Sequence, residues 1–342
     1  MRELPVIAID AMGGDLGPQA IVPAVVDFLR SGEQASVLLV GRRDDLEPGL
    51  AGLAGSESDR LEIVDASQVV AMDEAAADAL RKKKDSSMRV SLNLVRDGRA
   101  QACISSGNTG ALMATARYVL KTLPGIDRPA IISAIPARGG HTHMLDLGAN
   151  SHCTPQQLAQ FAVMGTVVAG DVHGLASPRV GLLNIGTEEI KGNETIRLAG
   201  QLLAQSELNY VGFVEGYDIM SGRVDVVVTD GFTGNIALKT MEGVARMLFE
   251  TAREEVRASW INRLGALAAK PLFRSIRNRV DPRRYNGASL VGLNGIVIKS
   301  HGGADTIAFG NAIRTALVEV RKGVPTQIGD LLKRQTILEQ AV

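Results

Sequence analysis

Short apolar runs alternate with helical patterns along nearly the whole of this 342-residue chain. Runs of strand length occupy residues 5–9, 36–40, 61–64, 102–105, 130–135, 144–147, 180–185, 210–214, 224–229 and 296–298. Amphipathic helical patterns separate most of them, at residues 21–30, 90–97, 110–121, 155–169, 194–205 and 305–322. This alternation indicates the α/β class, with a mainly parallel sheet covered by helices on both faces. Without a repeat or a linker, we predict one α/β domain over residues 1–342.

One segment departs from this alternation. From Ile236 to Arg257, apolar residues recur every three or four positions, which predicts a long amphipathic helix. An apolar stretch, Trp260–Phe273, and then an arginine-rich stretch follow it. We therefore predict a helical arm over residues 236–285. The pattern leaves two interpretations open, namely packing against a subunit or the main body, and contact of the tip with a membrane surface.

Composition excludes several classes of function. Lys+Arg and Asp+Glu both number 37 and aromatic residues make up 4% of the chain, which argues against a nucleic-acid partner. Two cysteines are too few for a disulfide framework, so we expect a cytoplasmic protein. Asp10 interrupts the first apolar run, unlike a signal peptide, and no run of about 20 apolar residues predicts a membrane span.

Polar residues and glycines follow the predicted strands, where a doubly wound sheet binds its ligands. The segments are Asp10–Gly17, Ser105–Gly110, Asp146–Asn150, Asn184–Gly192, Glu215–Asp218, Asp230–Asn235 and Gly287–Gly303. Each alone is typical of a turn, but together we expect them to converge on one anion site, because glycines and helix N-termini admit phosphate. The candidate binding residues are Asp10, Gly13, Gly14, Ser105, Gly107, Asn108, Thr109, Asn150 and Asn184.

The chain lacks the common motifs of nucleotide and hydrolase sites. It contains no G-x-G-x-x-G, no G-x-x-x-x-G-K-[ST] and no G-x-S-x-G. Cys153 lies near His143 and His152 in sequence, but a structural thiol is the favoured interpretation. His141 and His143 have no third ligand at metal-binding spacing, so we predict no metal and no cofactor. These residues suit a reaction in which an anionic substrate is itself the nucleophile.

Six strings, in order along nearly the whole chain, resemble the PlsX family of bacterial phosphate acyltransferases. They are Ile9–Asp15, Lys83–Ser87, Ser105–Ala111, Asp146–Asn150, Asn184–Gly192 and Asp230–Asn235. Small departures from the family pattern occur at Ser106, where the family often has Ala, and at Ser289 and Val291. Jointly the strings are specific to this family, and the departures leave the resemblance intact.

The resemblance implies transfer of a fatty acyl group from acyl-[acyl carrier protein] to inorganic phosphate, giving acyl phosphate for phospholipid synthesis. It implies a mainly parallel, doubly wound three-layer α/β sandwich, similar to isocitrate and isopropylmalate dehydrogenases and to phosphate acetyltransferases. It also implies a homodimer and peripheral membrane association through the tip of the arm. A phosphate acetyl- or butyryltransferase that uses acyl-CoA stays open as the alternative.

Four residues are the catalytic candidates under this resemblance. Lys191 would anchor phosphate or stabilise the oxyanion, and Asn235 would donate a hydrogen bond to that oxyanion. Asp230 or His301 would move a proton or orient a donor, although Asp230 is equally placed to cap a helix. Because the carrier protein is acidic, we expect the arginines of residues 274–284 and the run Lys82–Lys84 to steer it electrostatically.

Overall fold

The computed structural model describes residues 4–335, except for the side chains of residues 171–173 and 277–280. The predicted docking role of Arg277 and Arg279 therefore lies outside the described residues. The described strands are β1 Val6–Asp10, β2 Ser36–Gly41, β3 Leu61–Asp65, β4 Ala102–Ser105, β5 Ala130–Ala137, β6 Gly140–Leu145, β7 Val180–Leu183, β8 Tyr210–Val214, β9 Val226–Val228, β10 Ala288–Val291 and β11 Ile296–Lys299.

Helices separate most of these strands, as the sequence predicts. The described helices are α1 Pro18–Arg30, α2 Arg43–Leu50, α3 Ala76–Lys82, α4 Ser87–Arg96, α5 Thr109–Leu120, α6 Pro155–His173, α7 Glu194–Ala204, α8 Gly231–Ala258, α9 Trp260–Ala268, α10 Lys270–Val280, α11 Thr306–Lys322 and α12 Val324–Arg334. Short 3₁₀ turns lie at Gly55–Arg60, Gly216–Met220 and Pro282–Tyr285.

The described strands form one sheet of 11 strands in the order β3-β2-β1-β4-β11-β10-β5-β6-β9-β7-β8. One parallel half contains β1 to β4 and β11. The other contains β6 to β9. Between the halves, β11 to β10, β10 to β5 and β5 to β6 are antiparallel pairs. Most pairings are parallel, so the predicted fold class is confirmed, but the two halves run in opposite directions.

Alternating side chains of the strands build a core on each face of the first half. Ala8 and Cys103 contribute to one cluster, together with Leu92 of α4 and Leu112 of α5. Their neighbours Ile7 and Ile104 point to the other face, into a cluster formed with Phe28 of α1 and Phe309 of α11. Because successive side chains of a strand point to opposite faces, these fully apolar strands need helices on both sides.

The second half packs on α6, α7 and α12. Phe161 and Met164 of α6 are fully buried between the sheet and these helices. The start of α6 is set locally, because Thr154 Oγ1 accepts from Gln157 N at 3.2 Å and Gln157 Oε1 accepts from Thr154 N at 3.1 Å. This second core fixes β6 to β9, the strands that carry the loops of the second half.

Helices α8 to α10 occupy most of the segment 236–285, for which an arm was predicted, and α8 begins five residues earlier, at Gly231. We keep the name arm for these three helices. Helix α8 has 28 residues, of which only Gly231 and Gly234 are buried. The arm leaves large apolar side chains exposed, among them Leu248, Trp260, Ile261, Leu264, Leu267 and Leu272. The described part of the chain contains no helix long and apolar enough to cross a membrane.

Strand β10 lies in a segment that the sequence predicted as a glycine-rich loop. Only four residues long, it is bounded by Gly287 and Gly292, whose φ angles are 110° and 90°. Positive φ angles favour glycine at both turns. The glycines therefore make the segment resemble a loop in the sequence, although it contains a strand. The strand is antiparallel to both of its neighbours, and it begins the reversal of direction between the two halves.

Candidate functional site

The strand directions divide the predicted polar loops into two sets. Those after β1, β4 and β11 lie at one edge of the sheet, which we call the first edge. Those after β6, β7, β8 and β9 lie at the opposite edge, the second edge, because these strands run the other way. The predicted loops therefore leave the sheet at two opposite edges rather than at one, and their convergence on a single site stays a prediction. Three antiparallel pairings lie between the two halves, and because three is an odd number the halves run in opposite directions. The spacing of apolar residues in a sequence does not show in which direction a strand will run.

Asp10 organises the first edge. Its side chain is almost fully buried, and its Oδ2 accepts from Ser105 Oγ at 2.6 Å while its Oδ1 accepts from Met12 N at 3.2 Å. Burial raises the pKa of Asp10, and hydrogen bonds from Ser105, Ser87, Met12 and Gly13 oppose that rise. Ser105 Oγ also accepts from Gly107 N at 3.1 Å. Asp10 and Ser105 thus hold the two loops against each other.

Glycines allow these loops to approach closely. A Cβ at Gly13 would lie 2.7 Å from Gly107 N and 2.8 Å from Asp10 Oδ2. Gly14 has a φ of 86°, and a Cβ there would lie 2.7 Å from Gly302 O. Asp15 N donates to the same Gly302 O at 2.8 Å, so the loop after β11 joins the loops after β1 and β4. Three of the predicted segments therefore meet at the first edge.

Asn108 is the N-cap of α5, and both the oxygen and the nitrogen of its side-chain amide form hydrogen bonds. Its Oδ1 accepts from Ala111 N at 3.0 Å, and its Nδ2 donates to Met72 O at 2.8 Å and to Glu74 O at 3.0 Å. These bonds tie the loop before α3 to the first edge. Thr109 is the exposed first residue of α5, beside the helix N-terminus. The predicted binding role of both residues stays a prediction.

His301 lies at the first edge with one ring nitrogen engaged. Its Nδ1 accepts from Gly303 N at 3.0 Å, and its backbone N donates to Asn286 Oδ1 at 2.9 Å. The neutral imidazole therefore carries its proton on Nε2. The ring is exposed, so that Nε2–H is available as a hydrogen-bond donor.

Asp146 organises the second edge in the same way. Its Oδ1 accepts from Ile131 N at 3.0 Å and from Ala149 N at 2.9 Å, and its Oδ2 accepts from Asn150 N at 2.7 Å. Burial raises the pKa of Asp146, and these hydrogen bonds oppose it. The side chain of Asn150 is buried and donates to Asp146 Oδ2 at 2.9 Å and to Pro129 O at 2.8 Å. The Asn150 side chain therefore holds the backbone of Pro129 against Asp146 rather than facing a ligand site.

Asp230 is the N-cap of α8, the alternative that its position in the sequence left open. Its Oδ1 accepts from Thr233 N at 2.9 Å and its Oδ2 from Thr233 Oγ1 at 2.8 Å. One turn further on, Asn235 is exposed and lies against Gly148, where a Cβ would be 3.6 Å from Asn235 Cβ. Asp230 sets the start of the helix that presents Asn235.

Asn184 and Lys191 share the loop after β7 at the second edge. Asn184 Oδ1 accepts from Ile185 N at 2.9 Å, and Asn184 Nδ2 donates to Lys191 O at 3.2 Å, which closes the loop. The side chain of Lys191 is exposed. The loop also exposes 81% of Ile185 and 85% of Ile190. Asn184 therefore shapes the loop, while Lys191 is free to reach a ligand.

Helix α8 carries a charge that acts on the first edge. It begins with Asp230 at the second edge, and Lys239 lies two turns further along. The pKa of Lys299, at the end of β11, is lowered to about 8, mainly by burial and in part by the charge of Lys239. Asn235 and Lys239 lie one turn apart on the same face of α8. Sequence analysis missed both lysines, although a lysine that ends an apolar strand, as Lys299 does, was a usable signal.

In the described part of the chain, both cysteine thiols are poor nucleophiles, and no metal centre accompanies these loops. Burial raises the pKa of the Cys153 thiol to about 12, with the charges of Asp146 and Asp230 acting in the same direction. Cys103 is fully buried, and burial raises its thiol pKa as well. Within residues 4–335, no group of three His, Cys, Asp or Glu side chains is arranged to hold a metal ion.

A model of the family described as "Fatty acid synthesis protein" matches residues 6–327. The chain belongs to this family. The chain is 58% identical over 333 residues to the phosphate acyltransferase of Alkalilimnicola ehrlichii, covering 97% of each chain. It is 57% identical over 322 residues to that of Nitrosococcus oceani, covering 94% of this chain and 95% of the relative. Membership in the fatty acid synthesis protein family confirms the resemblance to PlsX that the motifs indicated.

Two solved structures with low sequence identity to this chain share its fold. EutD phosphotransacetylase from Staphylococcus aureus aligns with a TM-score of 0.60 at 16% identity, covering 93% of this chain and 94% of that one. A phosphotransacetylase from Streptococcus pyogenes aligns with a TM-score of 0.59 at 16% identity, covering 94% and 95%. At this identity the likeness concerns the fold alone. It agrees with the predicted relation to phosphate acetyltransferases.

Proposed function

We propose that this enzyme, a phosphate acyltransferase, transfers a fatty acyl group from acyl-[acyl carrier protein] to inorganic phosphate. The observation that carries the proposal is 58% identity over 97% of the chain to a phosphate acyltransferase. A phosphate oxygen forms a bond to the thioester carbonyl carbon, and the carbon–sulfur bond breaks. The products are acyl phosphate and the carrier protein with a free thiol. Phosphate acetyl- or butyryltransfer from acyl-CoA is the alternative, supported by fold likeness alone.

Direct attack by phosphate fits the chemistry of the described side chains. An acyl-enzyme intermediate needs an activated nucleophile, and burial raises the thiol pKa of Cys153 to about 12, which leaves it protonated near neutral pH. Phosphate is already anionic there, so positioning and stabilisation of the oxyanion supply the catalysis. The glycine-lined loops of the first edge would admit phosphate, with Gly13, Gly14 and Gly107 allowing close approach.

The catalytic roles follow from which side-chain atoms are available. Asn235 is exposed on α8, and its amide would donate to the oxyanion as the carbonyl becomes tetrahedral. Lys191, in the loop after β7, would neutralise the negative charge of phosphate or of the oxyanion. His301 Nε2–H would donate a hydrogen bond to the departing sulfur, which leaves as a thiolate with the electron pair of the broken bond. The proton that the attacking hydrogen phosphate gives up becomes the proton of the product thiol. Asp230 would act through its cap of α8, because it holds the start of the helix that carries Asn235.

Exposed apolar side chains at the second edge support a fatty rather than a short acyl group. Ile185 and Ile190 flank Lys191 in the loop after β7. Tyr217 follows β8 and is 65% exposed, and Phe232 begins α8 and is 62% exposed. A hydrocarbon chain laid on these groups would remove apolar area from water, worth about 25 cal/mol per Å².

The arm supplies the proposed contacts with a second subunit and with the membrane. In α8, Val244, Met247 and Leu248 are exposed, and they would pack against a second copy in a homodimer. At the tip, Trp260 is 71% and Leu267 66% exposed, and they would enter the membrane–water interface. The neighbouring arginines would favour anionic lipid.

The activity is tested with purified protein, long-chain acyl-[acyl carrier protein] and inorganic phosphate, with hydroxylamine trapping the acyl phosphate. We expect trapped product from the carrier-protein donor, and a fall in kcat of about 10²–10³ for Asn235→Ala. Asn209→Ala is the matched control, because Asn209 is exposed and lies just before β8, away from the loop that follows this strand. Product from acetyl-CoA but not from the carrier-protein donor would replace this function with the alternative.

The arm contacts are tested separately. Light scattering should give the mass of a dimer for the wild type. In flotation with anionic vesicles, we expect wild-type protein to rise with the lipid and a Trp260→Ser, Leu264→Ser double variant to stay behind. Leu198→Ser, at an exposed leucine of α7, is the control that leaves flotation unchanged. Equal flotation of the tip variant and the wild type would contradict membrane contact at the tip.

A further inference from the structure

Lys299 is a cation built into the first edge. It ends β11 in register with Ser105 of β4, so its side chain leaves the sheet where the loops after β1, β4 and β11 meet. Its Nζ contacts the carbonyl oxygens of Ser106, at 3.4 Å, and of Ser300. The two carbonyls come from the loops that Gly13 and Gly14 allow to approach. The ammonium therefore lies within the cradle that these backbones form.

This ammonium has no carboxylate in contact. Within residues 4–335, Lys299 forms no ion pair within 4.0 Å. Burial lowers the pKa of Lys299 to about 8, the charges of Asp10 and Asp15 oppose the shift, and Lys239 adds to it. A half-buried cation that contacts only carbonyl dipoles is incompletely neutralised, and an anion that reached it would gain from both charge and hydrogen bonding.

The surrounding groups select the kind of anion. Gly13, Gly14 and Gly107 let the loops after β1, β4 and β11 pack directly against one another. Backbone groups therefore form much of the surroundings of Lys299, which suits a compact anion held by several oxygens. The carboxylate of Asp10 is held in hydrogen bonds to its own loop and to Ser105, so it does not occupy the place beside Lys299. From α8, Lys239 adds a second positive charge, itself paired with Glu242 at 2.8 Å.

We propose that Lys299 binds the attacking phosphate, with its ammonium donating to a phosphate oxygen at the first edge. This inference rests on the proposed function for the identity of the anion, because that reaction consumes inorganic phosphate. It places phosphate at the edge of Asp10 and Ser105, and Lys239 faces it from α8. The acyl thioester would then approach from the side of Asn235, which lies on the same face of α8 as Lys239.

The test compares Lys299→Met, Lys299→Arg and the control Lys333→Met, an exposed lysine of α12. For Lys299→Met we expect the KM for phosphate to rise about tenfold or more, as the loss of a charged hydrogen bond implies, while the KM for the acyl donor stays unchanged. Lys333→Met should leave both constants unchanged. A Lys299 that merely ties the carbonyls of Ser106 and Ser300 together would disturb both constants or neither.

The pH dependence of the KM for phosphate provides a second test, because a purely structural role of Lys299 would not change it. Lys299 binds phosphate when protonated, so the wild-type KM for phosphate should rise as the pH passes about 8. Arginine stays protonated, so Lys299→Arg should lose this rise. The same rise in Lys299→Arg as in the wild type would overturn the proposal. If Lys299→Met does not fold, the arginine variant decides alone.

Binding without turnover separates this inference from the proposed function. We expect inorganic phosphate to raise the Tm of the wild type and of Lys333→Met, but not that of Lys299→Met. A wild type stabilised by phosphate through Lys299 that forms no acyl phosphate would refute the proposed function and keep the anion site. Acyl phosphate formation with equal phosphate KM and equal Tm shift in Lys299→Met and wild type would refute the anion site alone.

Discussion

The first edge and the helical arm depart in opposite ways from the usual burial of apolar and exposure of polar side chains. At the first edge, Asp10 is 1% exposed and Ser105 is fully buried, and both are hydrogen-bonded. In the arm, Trp260 is 71% exposed and Leu267 66%, and neither belongs to a core cluster of the described residues. Polar groups are therefore buried where loops converge, and apolar groups are left outside where a helix leaves the body.

This difference shows where each region obtains its stability. The first edge is held by contacts within the chain, so the loss of a single hydrogen-bonding atom there should lower the free energy of unfolding. The arm keeps its helices mainly through hydrogen bonds within each helix and through the contact between α8 and α9, and it leaves an apolar surface for a partner outside the chain. The four predictions below test this contrast, from the largest expected effect to the smallest.

Two phenylalanines give the largest contrast. Phe309→Ala, in the fully buried core of α11, should lower the free energy of unfolding by about 3–5 kcal/mol. Phe273→Ala removes a side chain that is 46% exposed near the tip of the arm and should change it by less than about 0.5 kcal/mol. Urea denaturation of dilute protein measures both. Equal losses would show that the tip is covered as fully as the core.

Buried Glu319 makes the stability of the body depend on pH. Burial raises its pKa to about 7, and Ser289 Oγ donates to its Oε2 at 3.0 Å. The folded state therefore keeps a proton that the unfolded chain has lost, so this stabilisation is full below about pH 4.5 and disappears as the pH rises through about 7. The loss is on the order of 3 kcal/mol.

Glu319→Gln should remove that dependence, because the amide keeps an acceptor for Ser289 and cannot ionise. Above about pH 7 the variant should be the more stable protein, and the two unfolding free energies should approach each other at low pH. Glu250→Gln, at an exposed acid of the arm, is the control with no such effect. Parallel curves for wild type and Glu319→Gln would contradict the burial of a protonated carboxyl.

The same substitution at two glycines of α8 should have opposite signs. A Cβ at Gly234 would collide with the carbonyl oxygen of Asp146, so Gly234→Ala should cost about 1–3 kcal/mol and disturb Asn235. Gly243 has nothing within 4 Å of such a Cβ, so Gly243→Ala should stabilise the helix by about 0.5–1 kcal/mol. Thermal melts followed by circular dichroism measure both, and a cost at Gly243 would mean that the arm is packed there.

Cys153→Ala should have the smallest effect of all on acyl transfer. Burial and two neighbouring carboxylates raise the pKa of its thiol to about 12, so no thiolate is present to form an acyl-enzyme. We expect kcat within about twofold of the wild type. The trapping assay measures it, with far-ultraviolet circular dichroism to confirm folding. Lost transfer in a folded variant would mean that the thiol takes part in the chemistry.

Much of the local structure was determined by the sequence alone. Apolar runs of four to six residues became strands, and Asn108, Thr154 and Asp230 cap helices whose starts they mark in the sequence. These features could be predicted because a strand's burial and a helix cap depend on neighbouring residues. The arm was predictable for the same reason, since its 3–4 spacing is a local periodicity.

Only the tertiary structure decided which strand ends meet. The short strand β10 and the β5–β6 hairpin reverse the sheet, so Asp10 and Asp146 organise opposite edges although their motifs look alike. The same long-range pairing places Lys299 beside Ser105, 194 residues earlier in the chain, and brings Lys239 near it. Strand direction and burial depend on contacts between distant residues, and no local pattern of side chains encodes them.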